Sequence, residues 1–241
     1  MKKILPFVSH QVPALRGAPF LAAHNPGATV LLTDRQRQQL TSIGMRLRLP
    51  ARKLIYREGA PAQWIFAIDE GIVKSYREHA NGKRTVAGFL FNRDLFGLAE
   101  RGHYVNSTQA VTAVEVYRFP IEELTALLKR DGEMQFAFLV KVTHELRQSQ
   151  RRAILVNRRD AAGRLAMFLT FMRNQLGPEA TNGGRVPLPM TRSDIAGFVG
   201  LTLESVSRAA AELEHRGLVK FEGRSWVRIV DPARLARLAA V

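Results

Sequence analysis

The 241-residue chain has no cysteine. That excludes disulfides, thiolate nucleophiles, cysteine-ligated zinc and cysteine-held iron–sulfur clusters together. Nor is there an apolar run near the roughly 18 to 20 residues of a membrane helix, because Arg, Lys, Asp or Glu interrupts each hydrophobic segment. Met1-Lys2-Lys3 begins like a secretion signal, but Pro6, Ser9 and His10 break the apolar stretch and no small-residue cleavage site follows. The expectation is a soluble protein of the reducing cytoplasm with no membrane partner. His-x-His, Gly-x-Ser-x-Gly, phosphate-loop and dinucleotide fingerprints are all missing, so neither a metal-dependent β-roll enzyme nor any other enzyme is expected. Acidic residues are scarce: 21 against 36 Lys and Arg, a formal charge of +15. Such an excess calls for an anionic partner, nucleic acid before membrane surface. With 46% hydrophobic residues the chain can still bury a sizeable core.

Residues 1–32 read as a loosely structured extension. From Thr33, a plausible N-cap, Leu40, Ile43 and Leu47 repeat at helical spacing, and one amphipathic helix is expected to end near Leu49-Pro50. Between Leu54 and Phe119, short runs of Val, Ile, Phe and Tyr alternate with Glu58-Gly59, Glu70-Gly71, Asn81-Gly82 and Phe96-Gly97, the pattern of an all-β sandwich or roll. Asn81-Gly82 is the strongest hairpin signal and predicts a type I′ turn. After Pro120 the chain turns helical through Leu176, with breaks at Asp131-Gly132 and around Asn157 to Asp160. Leu139, Val142, Leu146, Ser149, Ala153 and Val156 follow alternating steps of three and four, either a parallel dimer seam or an ordinary amphipathic stripe on the domain's own core. Arg147, Arg151, Arg152, Arg158 and Arg159 flank that stripe and read as a solvated face. Residues 177–189 hold three Gly and three Pro and read as a loop, with a short strand from Arg185 to Leu188.

The most informative stretch runs from Met190 to Arg208. Thr191 can cap a first helix with Asp194 three residues on, Gly200 supplies a tight turn, and Thr202 caps a second helix ending about His215. Ile195, Phe198, Val199, Leu201, Val206 and Leu213 would hold the pair together, leaving Glu204, Ser207 and Arg208 on the opposite face at i, i+3 and i+4. Arg can pair with guanine O6 and N7, Glu accepts from the cytosine amine, and Ser serves as donor or acceptor. The bland alternative is a solvated face with one Glu–Arg pair. Beyond it, two strands around Glu222-Gly223-Arg224 make a hairpin beside the second helix, with Lys220, Arg224 and Arg228 able to meet phosphate. Thr191, Arg192, Thr202 and Ser205, at the starts of the two helices, join Lys220 and Arg224 as expected backbone contacts. The module reads as a winged helix-turn-helix.

From Thr33 onward the chain resembles the Crp/Fnr family of bacterial transcription regulators. The resemblance rests on Arg57-Glu58-Gly59, Asp69-Glu70-Gly71, Asp94-Leu95-Phe96-Gly97, Asp160-Ala161-Ala162-Gly163-Arg164-Leu165-Ala166 and the winged module, in the family's order. It implies an α+β fold: extension 1–32, a double-stranded, cyclic-nucleotide-binding-like β-roll over 33–132, a dimerisation helix over 133–159, and a winged helix-turn-helix DNA-binding domain over 160–241. Leu203-Glu204-Ser205-Val206-Ser207-Arg208 is similar to the Fnr and FixK branches. By that likeness Glu204, Ser207 and Arg208 read a TTGAT-type half-site of an inverted repeat in double-stranded DNA, and the stripe from Leu139 to Val156 makes a homodimer. RNA polymerase is a further candidate partner, and the likeness also suggests oxygen-limited or nitrogen-oxide metabolism.

Where the cyclic-nucleotide branch places Arg-Ser to hold a phosphate, this sequence has Tyr104-Val105, although Ser149 and Gln150 keep polar groups on the dimer helix. No cofactor is expected. A ligand- or haem-responsive regulator stays open, with His79 and His103 as haem-ligand candidates better read as solvated loop residues. A nonspecific nucleic-acid binder also stays open. The first 150 residues hold 21 basic and 13 acidic residues and the remaining 91 hold 15 and 8, so positive charge is only moderately denser toward the C-terminus. A Glu on the recognition helix argues against sequence-blind binding, since a carboxylate near DNA is penalised unless it meets a cytosine amine.

Overall fold

A computed structural model describes residues 16–17, 29–157, 160–180 and 184–240; side chains at 16–17, 29–30, 148, 151–157 and 178–180 lie outside the description. Strands β1 (Arg16–Gly17) and β2 (Thr29–Val30) pair antiparallel. Leu32 is already buried beside Leu40 and Phe119, so the roll's core begins one residue before Thr33. Helix α1 (Asp34–Ile43) starts with a full capping box: Gln36 N–H donates to Thr33 Oγ1, and Thr33 N–H to Gln36 Oε1.

The helix does not reach Leu47 as its spacing predicts. It stops at Gly44, where an added Cβ would sit 2.8 Å from the Phe119 ring, and Met45–Leu49 becomes strand β3, paired along β12 (Val114–Pro120). Met-Arg-Leu-Arg-Leu alternates at the strand period, and ladder pairing overrides the helical spacing of three leucine-type positions.

Between them lie β4 (Leu54–Tyr56), β5 (Trp64–Glu70), β6 (Val73–Glu78), β7 (Arg84–Leu90), β8 (Leu95–Phe96), β9 (Ala99–Glu100), β10 (His103–Tyr104) and β11 (Ser107–Ala110). Two antiparallel four-stranded sheets, ordered β4-β11-β6-β7 and β3-β12-β5-β8, face each other as a roll. Asn81-Gly82 does join β6 to β7, but not as a type I′ turn. His79 N–H donates to Lys83 O, Gly82 N–H donates to His79 O, and of the pair only Gly82 has positive φ, at 74°. Asn81 instead accepts from Lys83 N–H through its side chain, which favours the longer three-residue loop. Both central positions are left-handed in the β9–β10 hairpin, at Arg101 and Gly102.

Pro120 ends β12 and precedes α2 (Ile121–Arg130); α3 (Gly132–Asn157) and α4 (Ala161–Ala180) follow, with Gly177 breaking helical geometry inside α4. The C-terminal module comprises β13 (Arg185–Pro187), α5 (Arg192–Val199), α6 (Leu203–His215), β14 (Val219–Glu222), β15 (Trp226–Ile229) and α7 (Pro232–Ala240), its strands ordered β13-β15-β14. The module is not merely tethered to the roll. Tyr76, Val86, Phe89 and Phe91 of the roll share one core cluster with Leu165, Phe168, Ile195 and Phe198, and the Phe89 and Phe198 rings lie 5.3 Å apart.

Candidate nucleic-acid interface

The recognition face is built on two capped helices. Thr191 Oγ1 accepts from Asp194 N–H, and the Asp194 carboxylate accepts from Thr191 N–H and Oγ1 at 3.1 and 2.8 Å. Gly200 closes α5 in the left-handed conformation, φ 66° and ψ 37°, which a side chain would resist, and so turns the chain into α6 within three residues. Thr202 Oγ1 accepts from Ser205 N–H and donates to Ser205 Oγ. Arg164 on α4 braces the corner by donating to the Val199 and Gly200 carbonyls.

Helix α6 buries Val206, Ala209, Ala210 and Leu213, and the opposite face stands in solvent. Glu204 and Arg208 keep 78% and 71% of their side chains exposed; their closest approach of 3.9 Å is loose enough to leave both heads available. Ser207, also exposed, donates to the Leu203 carbonyl one turn back. The three expected base readers thus share one open face. Leu203 shares it too, 53% exposed at the i−4 position from Ser207, and was not anticipated from sequence. An apolar residue next to Glu204 and in register with Ser207 was the available signal.

The expected backbone contacts divide. Lys220 is exposed on β14, and Arg224 is exposed in the turn between β14 and β15. Thr191, Thr202 and Ser205 sit at the helix starts, with the two threonine hydroxyls engaged in capping. Arg192 is turned to the wing: its guanidinium stacks 4.6 Å from the Phe221 ring centre, and burial lowers its pKa while Glu214 opposes that shift. Arg228, exposed on β15, is engaged in an ion pair. It shares Glu222 with Arg185, at 2.8 and 2.7 Å, and those two cations hold the Glu222 carboxyl below its usual range.

On α3, Leu139, Val142 and Leu146 expose 55, 39 and 55% of their surface, Ser149 is exposed, and Phe136 adds a further exposed ring. The side chains of Ala153 and Val156, and of Arg151, Arg152, Arg158 and Arg159, lie outside the described residues. In the roll, the Tyr104 ring stacks 3.8 Å from Tyr56, and its hydroxyl donates to the Trp64 carbonyl at 3.0 Å. Phe66 and Phe96 continue the stack. Burial pushes the Tyr56 hydroxyl up to about 12. His79 and His103 are exposed and bonded within their own loops, to Thr85 and to the Arg101 carbonyl. Among the described residues no group of three His, Asp or Glu side chains could hold a metal ion, and no helix is long and apolar enough to cross a membrane.

Residues 46–131 match the cyclic nucleotide-binding domain and residues 163–238 the Crp-like helix-turn-helix domain. The nitrogen fixation regulation protein FixK of Bradyrhizobium diazoefficiens is 30% identical over 210 residues, spanning 84% of this chain and 85% of that protein. The chain belongs to the Crp/Fnr family of transcription regulators. AadR of Rhodopseudomonas palustris, a transcriptional activatory protein, is likewise 30% identical, over 84% of each chain. The solved structure of FixK2 from Bradyrhizobium japonicum superposes with a TM-score of 0.74 at 28% identity, covering 83% of this chain and 98% of that one. This Crp/Fnr regulator is therefore a DNA-binding protein and not an enzyme, with its helix-turn-helix in α5 and α6.

Proposed function

We propose that this regulator reads an inverted repeat of TTGAT-like half-sites as a homodimer and needs no cyclic nucleotide to do so. The observation that carries the reading is the α6 face: Glu204, Ser207 and Arg208 exposed together on a helix whose other side is core. A helix entering the major groove with its first turns would set Arg208 against a guanine and Glu204 against a cytosine amine. Leu203 adds an apolar contact for a thymine methyl. Lys220 and Arg224 supply phosphate contacts from the wing, which position the module without selecting sequence.

Dimerisation through α3 is supported by Leu139, Val142 and Leu146, three apolar residues left open along one narrow stripe of the protomer. Independence from cyclic nucleotide is supported by Tyr104, whose buried ring and hydroxyl occupy the roll interior where an anion would need a guanidinium. The test is selection of bound duplexes from a random library with the purified protein, with and without cyclic AMP. One inverted repeat recovered equally under both conditions is the expected result. Recovery of no common sequence would favour the nonspecific binder, and recovery only with cyclic AMP would refute effector independence.

A further inference from the structure

The roll holds the first helix of the DNA-reading module by a buried clasp that base recognition does not use. Lys74 on β6 donates to the Asp194 carboxylate of α5, and their side chains are only 8% and 10% exposed. The same carboxylate caps α5 through Thr191, so one group both starts the helix and ties it to the roll. Three residues on, Gly197 lies flat against β7: an added Cβ would meet the Arg84 carbonyl oxygen at 2.7 Å and Val86 at 3.3 Å. Gly197 needs no unusual backbone angle; its missing side chain is what permits the approach. Phe198 then enters the shared core against Phe89. Because Ile195, Phe198 and Val199 also pack α5 onto α6, orientation passes from roll to α5 to recognition helix.

We infer that this clasp sets half-site spacing: Lys74, Asp194 and Gly197 fix the angle of α6 relative to the dimer helix and so determine which separation of the two half-sites the regulator accepts. The inference rests on the homodimer reading above. Only three residues separate α3 from α4, and without the clasp and the core around it that short connection alone would orient each module. A two-fold dimer reads half-sites about one helical turn, roughly 34 to 36 Å, apart, and a rigid module tolerates little deviation. The recognition face stays exposed in the clasped arrangement, so clasping is compatible with reading DNA.

Two variants loosen the clasp in different ways. Lys74→Met with Asp194→Asn removes the ion pair while leaving an amide oxygen to accept from Thr191, so no buried charge is stranded. Gly197→Ala favours the isolated helix but wedges it from β7. Each full-length protein is titrated against one half-site and against inverted repeats whose spacer is lengthened stepwise to half a helical turn. Wild type should lose about a hundredfold in affinity across that series, because the second half-site falls out of reach of the intramolecular step. Both variants should lose tenfold or less, with half-site affinity within about twofold of wild type.

A sharp spacing optimum in wild type that both variants retain would overturn the clasp as ruler. A wild type with no spacing preference would overturn it equally, whereas a wild type that holds the inverted repeat no more tightly than one half-site would instead defeat the homodimer reading. A second measurement needs no DNA and covers a variant of reduced stability. Since the chain has no cysteine, Arg234→Cys on the exposed face of α7 accepts one spin label per protomer. The label-to-label distance distribution should be narrow in wild type and broad in both variants; equal widths would refute the inference.

Discussion

Replacing Arg208 by Ala separates sequence reading from mere attraction to DNA. The side chain is 71% exposed and its partner Glu204 is 3.9 Å away, so the lost ion pair is worth about 0.3–0.5 kcal/mol and thermal stability should barely move. On the selected site the guanidinium would have made a bidentate pair with guanine. Its loss removes roughly 1–3 kcal/mol per half-site, a factor of about 5 to 150 in Kd for each. On a scrambled duplex of equal length and salt, binding would come from phosphate contacts such as those proposed for Lys220 and Arg224, and the change should stay within about twofold. Competition titrations of the two duplexes give the ratio directly. Selection repeated with the variant should also show relaxed preference at one position per half-site. Equal losses on both duplexes would remove Arg208 from base reading and with it the assignment of the α6 face.

Arg224→Ala, at the wing turn, should weaken every duplex alike and reduce the slope of log affinity against log salt by about 0.9 for each bound protomer; an unaltered slope would take the wing off the backbone. Leu146→Glu places a charge in each half of the proposed seam and should halve the mass seen by sedimentation equilibrium; a dimer that persists would refute α3 as the interface. Lys74→Met alone strands the Asp194 carboxylate at a site 10% exposed and should cost about 3–5 kcal/mol in urea unfolding, most of it recovered by adding Asp194→Asn; a single variant as stable as wild type would contradict a buried pair. Tyr56 titrates near 12 in the folded chain and near 10 unfolded, so the folded state holds its proton more tightly. Its contribution, about 2–3 kcal/mol, is fully present below pH 10 and lost as pH rises toward 12. Tyr56→Phe should flatten stability over that window, and an identical pH profile would show the hydroxyl is not buried as described.

The helix-turn-helix was legible because its signals are local. Thr191 with Asp194, Gly200 and Thr202 each satisfy backbone groups within a few residues, and the structure places all of them in those roles. The exposed Glu204, Ser207 and Arg208 followed from helical periodicity once the apolar side was known. Periodicity failed at Leu47, where the spacing that suits a helix also suits the inward face of a strand, and β12 decided between them. Turn chemistry placed the hairpin at Asn81-Gly82 but not its type, because a side-chain bond to Lys83 favours a longer loop.

Sequence by itself determined most of the elements, the charge, the absence of thiol chemistry and the exposed face of α6, since each depends largely on neighbours within a turn or two of chain. Tertiary structure alone decided which cations remain free and what holds the reading head. Arg228 and Arg185 are drawn onto Glu222, Arg192 onto Phe221, and Lys74, 120 residues from Asp194, becomes its buried partner. Charges pair with whatever the fold brings within a few ångströms, and no spacing along the chain encodes that distance.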